Sequence, residues 1–498
     1  MSGLGSQLTR RRMPAGVITE GCPDSIHQME VARDETHSLK RSMSTLQLTM
    51  IGVGGTVGTG IFFILSEAVP EAGPAVLVSF LIAAAVAGLT VQCYAQLASS
   101  IPSSGSSYSY TYATMGELAA FGVGACLILE YGVSAAAVAV GWSEYLNLLL
   151  DNLFGIRFPE ALSAAPDAGG IVNLPAVILV ALCLLLLLRG ASESARVNAI
   201  MVMIKIGVLG LFAAIAFTGF HADHFANFAP EGMRGISIAA GSLFFSFIGL
   251  DAVATTGDEV KDPKKTIPRA LMFALGIVTL VYVVVAFAAL GAQPAEDFKG
   301  QEASLASIVQ GVVGSTWPGT LLAVGAVISI FSVTLICMYG QTRILYSMGR
   351  DGLIPPVFAK VSPKHSIPLA NTFIVSGAVA LLAGFLPLGI LADLTSIGTL
   401  TAFGVVSIGV MVLRHTAPDM HRGFKVPGYP VTPVLSVAAC IYVISGLHAL
   451  TLQAFVVWMA VALSFYFLWS RKHSELARLH EEAENISKMM TNIELSNS

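Results

Sequence analysis

The sequence predicts an all-α integral membrane protein with about twelve transmembrane helices. Three observations predict it. Apolar residues fill 55% of the 498 positions and charged residues only 12%, against about 25% charged for a soluble domain. Long apolar runs recur along the chain, and the ten-residue alternation of a membrane β-barrel is missing. Because lipid offers no partner for backbone groups, we expect these runs to be helices.

The apolar runs are close to the length of about 20 residues that a helix needs to cross the hydrocarbon core. The first six cover about 46–69, 75–99, 118–148, 171–189, 197–220 and 237–256. The second six cover about 268–291, 318–342, 368–388, 391–413, 430–449 and 452–470.

The distribution of basic residues predicts the orientation. With a cytoplasmic N-terminus, the 27 Lys and Arg residues fall in inner segments, except Arg157, Arg234 and Lys299 outside and Lys205 within a span. The positive-inside rule therefore puts both termini in the cytoplasm. The net charge of −4 and the lack of a basic patch give no sign of nucleic-acid binding. The six cysteines lack metal-ligand spacing, so we expect neither a metal nor a cofactor.

Two spans in corresponding positions of two five-helix halves are interrupted. The first contains IGVGGTVGTGIFF (51–63), and the sixth contains Gly249 and Asp251 within an apolar run. Isolated glycines of this kind also serve close helix packing. A matching pair, however, is typical of a midplane substrate site, because unwound segments expose N–H groups for a carboxylate and carbonyls for an ammonium. The pair therefore predicts a site for a zwitterion.

Five groups of residues also carry a resemblance. They are GTGIF (58–62), FFSFIGLDAVATTGDEVKDPKKTIP (244–268), ESARVN (193–198), GQTRILYSMGRDGLIP (340–355), and GTLTAF with LR and RGFKVP between 398 and 427. Over about residues 38–428 the chain resembles the amino acid–polyamine–organocation superfamily, above all its cationic amino acid transporter-like branch. The resemblance implies secondary active transport of amino acids.

The resemblance also implies a LeuT-like 5+5 inverted repeat with broken helices 1 and 6. The chain then divides into a cytoplasmic arm (1–43), a first repeat (44–220), a second inverted repeat (237–415), two additional helices (430–470) and a cytoplasmic tail (471–498). We expect a multi-pass protein of a cell membrane, plasma or inner.

Site residues follow from the same resemblance. Thr59 and Gly60 would offer backbone N–H groups to the substrate carboxylate, and Phe245 would form an aromatic gate. Asp251 would hold the unwound segment. Carbonyls of Thr56, Phe245, Ser246 and Ile248 would receive the α-ammonium. The predicted substrate-binding set is Thr56, Val57, Gly58, Thr59, Gly60, Phe245, Ser246, Ile248 and Asp251.

Lys205 is the most informative ionisable residue within a span. It lies about 9 Å into its apolar run at 1.5 Å per residue, and it could reach back to the interface by snorkelling. Some members of the resembled branch place a lysine here, where sodium-coupled relatives hold the ion. Because burial disfavours the charged form, we expect Lys205 to couple transport to protons. Carbonyls of span 1 and the hydroxyls of Ser329 and Ser332 are the expected neighbours.

Other charged or polar positions carry weaker expectations. Glu130 has a possible pocket or proton role, or stays protonated as a hydrogen-bond donor. Glu117 is expected near the interface, and Asp393 at an interface or helix cap. Arg343 could pair with the acidic residues 258–259 as an inner gate. Gln96 stands where the resembled family usually has glutamate, so a proton step at that position is absent here.

Several functions stay open at this point. A channel is disfavoured because no filter motif is visible, and the motifs of intramembrane proteases and HExxH are missing. We therefore do not expect an enzyme. We expect the substrate to be an L-amino acid, neutral or cationic, with the proton as coupling ion and the lipid bilayer as surroundings. An exchanger, a uniporter, and a transport-inactive receptor or scaffold with this fold remain alternatives.

Overall fold

Helices account for nearly all regular structure in the computed structural model. It describes residues 43–101, 106–189, 195–255, 260, 262–362, 367–420 and 422–478. The α-helices in these ranges are α1 Thr45–Thr56, α2 Leu65–Ala72, α3 Val76–Ser100, α4 Ser106–Thr114, α5 Glu117–Ile128, α6 Ser134–Phe154, α7 Leu174–Leu188, α8 Ala195–Ala216, α9 Gly232–Phe244, α10 Ala252–Thr255, α11 Pro263–Ala292, α12 Ser304–Val313, α13 Trp317–Arg350, α14 Leu369–Phe385, α15 Leu388–Thr416, α16 Val431–Gly446, α17 Ala449–Phe465 and α18 Arg471–His473. The predicted arm up to residue 42, the tail beyond residue 478 and the acidic pair 258–259 lie outside the described residues.

The membrane class is confirmed by these helices. Eight segments of the described chain are long and apolar enough to cross a membrane, for example Glu117–Phe154 and Pro263–Ala292. The shorter apolar helices α7, α14 and α16 coincide with three further predicted spans. Every predicted run thus overlaps a helix or a broken pair of helices, while the number of twelve spans stays a prediction.

Local sequence signals set several helix ends. Ser44 begins α1 with a capping box, because its side chain accepts from the Gln47 N–H and the Gln47 side chain accepts from the Ser44 N–H. The Asn173 side chain caps α7 by accepting from the Ala176 N–H. Gly155 ends α6 in the left-handed conformation, with φ of 64°, which suits glycine.

Helices from the two predicted halves pack pairwise. The structure packs α3 against α11, α6 against α13, α7 against α14, and α2 against α9. In span order these are spans 2 and 7, 3 and 8, 4 and 9, and 1 and 6. The two interrupted spans therefore meet inside the bundle, surrounded by helices on several sides.

The last apolar segment has a different environment. Only 11% of the most apolar window of Ala449–Arg478 is buried. Large apolar side chains such as Leu450, Val456 and Val461 are more than half exposed on α17. Such a surface is stable when lipid is the solvent, so this helix lies at the edge of the bundle.

Candidate functional site

The first break covers residues 57–64, between α1 and α2. Val57 is extended and Gly58 has φ of 115°, a conformation that side chains rarely adopt. A Cβ on Gly58 would also lie 3.1 Å from Val333 Cγ2. Among the described residues, the N–H groups of Gly58, Gly60 and Ile61 have no acceptor. The predicted interruption of span 1 is therefore confirmed, and it presents bare donors at the N-terminal side of α2.

The second break covers residues 245–251, between α9 and α10. A single 3₁₀ turn, Phe245–Phe247, is followed by extended Ile248 and by Gly249 with φ of 98°. A Cβ on Gly249 would lie 2.5 Å from the Gly55 carbonyl oxygen. Glycine is therefore required here both by its conformation and by the close approach of the other span. The interruption of span 6 is confirmed as well.

The two breaks contact each other directly. A Cβ on Gly60 would lie 2.2 Å from Ser246 Oγ and 3.1 Å from Phe245 Cδ1. The Phe245 ring lies 6.2 Å from the Phe63 ring, centroid to centroid, and is fully buried. The structure thus brings Gly60, Phe245 and Ser246 together at one place. Their roles in binding and gating stay predictions.

Carbonyls of the two breaks differ in how far the chain itself satisfies them. Thr56 O accepts from the Thr59 N–H at 3.2 Å and lies 2.7 Å from the Thr59 hydroxyl. Phe245 O accepts from the Ile248 N–H at 3.3 Å. The Ile248 carbonyl has no donor in the described part of the chain. The four carbonyls predicted for the α-ammonium are therefore not equally available.

A residue that sequence reasoning missed lies between the breaks. The Tyr282 hydroxyl is 2.8 Å from Thr56 O and 2.9 Å from Ser246 O. Tyr282 comes from α11 and is fully buried. The available signal was that Tyr282 is the single tyrosine of the apolar run 268–291. Buried tyrosine hydroxyls usually have a hydrogen-bond partner.

Lys205 extends toward the first interrupted span. Its Nζ donates to Gly54 O at 2.8 Å, and the side chain is 1% exposed. The snorkelling alternative is therefore wrong. Gly54 lies in the last turn of α1, where exposed carbonyls favour a positive charge by about 0.3–2 kcal/mol. The predicted neighbourhood in span 1 is confirmed.

The two predicted serine neighbours of Lys205 lie on α13 and are buried. The Ser329 hydroxyl donates to Gly325 O of its own helix at 2.6 Å, and the Ser329 carbonyl oxygen lies 3.6 Å from where a Gly58 Cβ would be. Ser332 is 3% exposed. Their part in proton coupling stays a prediction.

Glu130 lies in a π turn that interrupts the third span. The turn covers Leu129–Val133, and single π turns are frequent at functional sites. Glu130 is fully buried, and no described residue donates a hydrogen bond of ordinary geometry to its carboxylate oxygens. The Thr399 hydroxyl is close enough to act on them, but it donates to Thr395 O at 3.1 Å. Asp251 is close enough to act on it electrostatically. A buried carboxylate without a partner is costly, so Glu130 needs a polar solute, water or a proton.

Asp251 anchors the second break. Its Oδ2 accepts from the Tyr131 hydroxyl at 2.8 Å and is 3.5 Å from the Ser106 hydroxyl. Tyr131 belongs to the π turn and Ser106 begins α4. The predicted role of Asp251 in holding the unwound segment fits these bonds. Several other buried polar groups have no hydrogen-bond partner among the described residues, namely Tyr94 Oη, Ser107 Oγ, Ser246 Oγ, Asp251 Oδ1, Ser396 Oγ and both side-chain polar atoms of Gln341.

Three weaker expectations concern Glu117, Asp393 and Arg343. Glu117 is the first residue of α5, as expected of a residue near a helix start, and it is 1% exposed and accepts from the hydroxyls of Tyr466 (3.0 Å) and Ser474; its place at the membrane interface stays a prediction. Asp393 is buried and accepts from the Ser242 hydroxyl at 2.8 Å, so it joins helices rather than capping one. Arg343 lies over the Tyr339 ring at 4.5 Å, and its predicted acidic partners are outside the described residues.

Comparison with known proteins gives one family. Residues 43–472 match the amino acid permease family. The chain is 42% identical to a branched-chain amino acid permease of Bacillus subtilis, over 91% of this chain and 98% of the relative. It is 41% identical to a methylthioribose transporter of Bacillus subtilis, over 89% and 96%. It is 33% identical to a vacuolar cationic amino acid transporter of Arabidopsis thaliana, over 80% and 66%. These relatives are permeases and transporters, not enzymes.

Proposed function

We propose that this chain, which belongs to the amino acid permease family, is a secondary active transporter. It moves an L-amino acid, neutral or cationic, across a cell membrane by alternating access. One observation carries the proposal: two spans lose their helical hydrogen bonding at the same place and face each other. One break presents free N–H groups and the other an unpaired carbonyl. A zwitterion matches both, because helix-start N–H groups attract carboxylates.

The pairwise packing supports the LeuT-like 5+5 repeat. Spans 1 and 6, 2 and 7, 3 and 8, and 4 and 9 are the equivalent pairs of such a repeat, and each pair is in contact. Two further helices, α16 and α17, complete twelve spans. With both termini in the cytoplasm, α4 and the inner end of α13 lie on the inner side.

The hydrogen bond of Lys205 to span 1 supports the proposal that this residue couples transport to protons. An ammonium donor makes a charge-assisted hydrogen bond, which is roughly twice as strong as a neutral one. Loss of the proton therefore weakens the Lys205–Gly54 link between α8 and α1. A second link, Asn198 Nδ2 to Met50 O at 3.1 Å, carries no charge. Proton release then loosens the inner half of span 1 selectively.

The test is uptake of radiolabelled leucine, alanine and lysine into proteoliposomes, with and without an imposed pH gradient. We expect gradient-driven accumulation by the wild type. For Lys205→Ala we expect gradient-driven uptake to fall by about 5- to 150-fold, since leaving the buried Gly54 carbonyl unpaired costs about 1–3 kcal/mol. The matched control is Ile204→Ala on the same helix, whose side chain is 37% exposed. Wild-type uptake that ignores the gradient contradicts proton coupling.

The same assay separates the alternatives. Counterflow without accumulation indicates an exchanger, downhill uptake without counter-substrate indicates a uniporter, and no transport of any solute indicates a receptor or scaffold. A second candidate substrate is methylthioribose, after which one relative is named. It is favoured by the unpartnered Glu130 and Gln341, which could bind sugar hydroxyls. Uptake of methylthioribose that unlabelled amino acids do not compete with would favour it.

A further inference from the structure

Four basic residues meet at the end of the bundle that is predicted to face the cytoplasm. Arg414 belongs to the last turn of α15, and Arg422 and Lys425 to the loop that joins α15 to α16. Lys264 lies in the first turn of α11, where its Cα would be 2.9 Å from a Cβ on Gly423. We call these four residues the inner basic cluster. Arg422 is close enough to act on Arg414 electrostatically, so the cluster brings like charges together.

The hydrogen-bond partners of the two arginines are neutral. Arg414 donates from Nε to the amide oxygen of Gln96 at 3.2 Å, and its guanidinium lies 4.0 Å from the centre of the Tyr429 ring. Arg422 donates to two carbonyl oxygens of its own loop, and its buried Nε has no acceptor among the described residues. No ion pair within the described chain involves the cluster.

Acidic residues close along the chain do not supply the counter-charge. Asp262 precedes Lys264 by two positions, and Asp419 precedes Arg422 by three. Both are exposed, and neither forms an ion pair with the cluster. Like charges that are held close together repel each other. An anion from outside the chain would remove this repulsion.

The surface beside the cluster is apolar and exposed. Val431 and Leu435, one turn apart on α16, are more than half exposed, and they follow the exposed ring of Tyr429. On α11, exposed Arg269 is followed one turn later by Phe273, which is also more than half exposed. Basic groups next to lipid-facing side chains match a lipid, whose phosphate lies at the interface and whose acyl chains lie in the core. Free phosphate would match the charge but not the apolar surface.

We propose that the inner basic cluster binds the phosphate headgroup of an anionic lipid from the cytoplasmic leaflet. The guanidinium groups make charge-assisted hydrogen bonds to the phosphate oxygens, Lys264 and Lys425 add positive charge, and the acyl chains lie along α16. The lipid then joins α11 to the loop between α15 and α16, and so stabilises the folded state. The cluster shares no residue with the two breaks, so the inference does not depend on the proposed function.

The experiment measures the unfolding temperature of the delipidated protein in detergent, with added phosphatidylglycerol, phosphatidylcholine or inorganic phosphate. For the wild type we expect phosphatidylglycerol to raise this temperature by about 2 °C or more, and the other two additions to leave it nearly unchanged. Lys264→Gln combined with Arg422→Gln should lose most of the rise. The matched control, Arg189→Gln combined with Lys360→Gln, removes two exposed cations elsewhere on the predicted inner side and should keep it.

Each contrary result has a definite meaning. A wild type without the rise overturns the inference, and a rise that inorganic phosphate reproduces replaces the lipid with a free anion. An equal loss in both double variants shows unspecific attraction and overturns the site, as does a full rise in the Lys264 and Arg422 variant. Should that variant fail to fold, Gln96→Glu supplies an internal carboxylate beside Arg414 and should at least halve the rise. An undiminished rise in Gln96→Glu contradicts the proposed site.

Discussion

The surroundings of Lys205 and of Glu130 differ, although both are ionisable side chains buried beside the breaks. The Lys205 ammonium donates to Gly54 O at 2.8 Å. The Glu130 carboxylate has no hydrogen-bond partner among the described residues. A buried charge that is hydrogen-bonded within the chain is already stabilised in this conformation. A buried carboxylate without such a bond must gain a partner at another stage of the transport cycle. Substitutions at the two positions should therefore fail in different ways.

The largest effect is expected from Lys205→Arg. Arginine keeps the positive charge but does not release its proton, so the step that loosens span 1 is lost. Gradient-driven uptake should fall by about tenfold or more, while counterflow exchange continues. Parallel uptake and counterflow assays in proteoliposomes measure this. Accumulation at the wild-type level would show that Lys205 need not release a proton.

A pair of glutamine substitutions extends the comparison to Glu117, a buried carboxylate that has hydrogen-bond partners. Glu117 accepts from several hydroxyls, including that of Tyr466, so Glu117→Gln should lower the free energy of unfolding by about 1–3 kcal/mol. Glu130→Gln loses no bond within the described chain and should unfold near the wild-type temperature. Its defect should appear in uptake, most strongly for lysine if the carboxylate binds a cationic side chain. Thermal unfolding in detergent and uptake of lysine against leucine distinguish these results, and a reversed pattern contradicts the comparison.

Gln96→Glu should stabilise the fold, with a smaller effect than the substitutions above. Gln96 Oε1 accepts from Arg414 Nη2 at 2.5 Å and from the Val426 N–H at 3.0 Å, while its buried Nε2 has no partner among the described residues. A carboxylate there would pair with the guanidinium, and charge-assisted bonds are about twice as strong as neutral ones. We expect a higher unfolding temperature. Gln92→Glu, which changes a neighbouring glutamine that donates to Gly88 O, is the control and should not stabilise.

The smallest expected effect is the pH dependence at His448. Its Nδ1 lies 2.7 Å from Asp393 Oδ2. This hydrogen bond raises the pKa of the imidazole above its ordinary value near 6.5, with Glu67 and Glu71 of α2 adding to it. A raised pKa in the folded state stabilises the protein below the ordinary value and loses that contribution as pH rises through the folded value.

The measurement is the unfolding temperature of the wild type and of His448→Gln between pH 5.5 and about 9, a range around the ordinary imidazole pKa. The difference between them should be largest at low pH and vanish at high pH. Since the side chain is 55% exposed, the effect should be modest. A difference that grows with pH contradicts the assigned direction.

Positions of the breaks were predictable from the sequence because glycine acts locally. Gly58 and Gly249 adopt conformations that other residues avoid, and an interrupted apolar run shows this without any tertiary contact. The burial of Lys205 was predictable as well, because its distance along a helix follows from a fixed rise per residue. For the hydrogen-bond acceptor of Lys205, the sequence indicated only the carbonyls of span 1 and not which one of them.

The sequence by itself determined the membrane class, the apolar runs, the two interruptions and the one deep lysine, since each depends on composition or on neighbours along the chain. Only the tertiary structure decided which groups meet across the bundle: Tyr282 between two carbonyls, Asp251 on Tyr131, and Glu130 without a partner. The physical reason is that hydrogen bonds depend on distances of about 3 Å. Packing between helices far apart in the chain sets those distances, and no spacing along one helix encodes them.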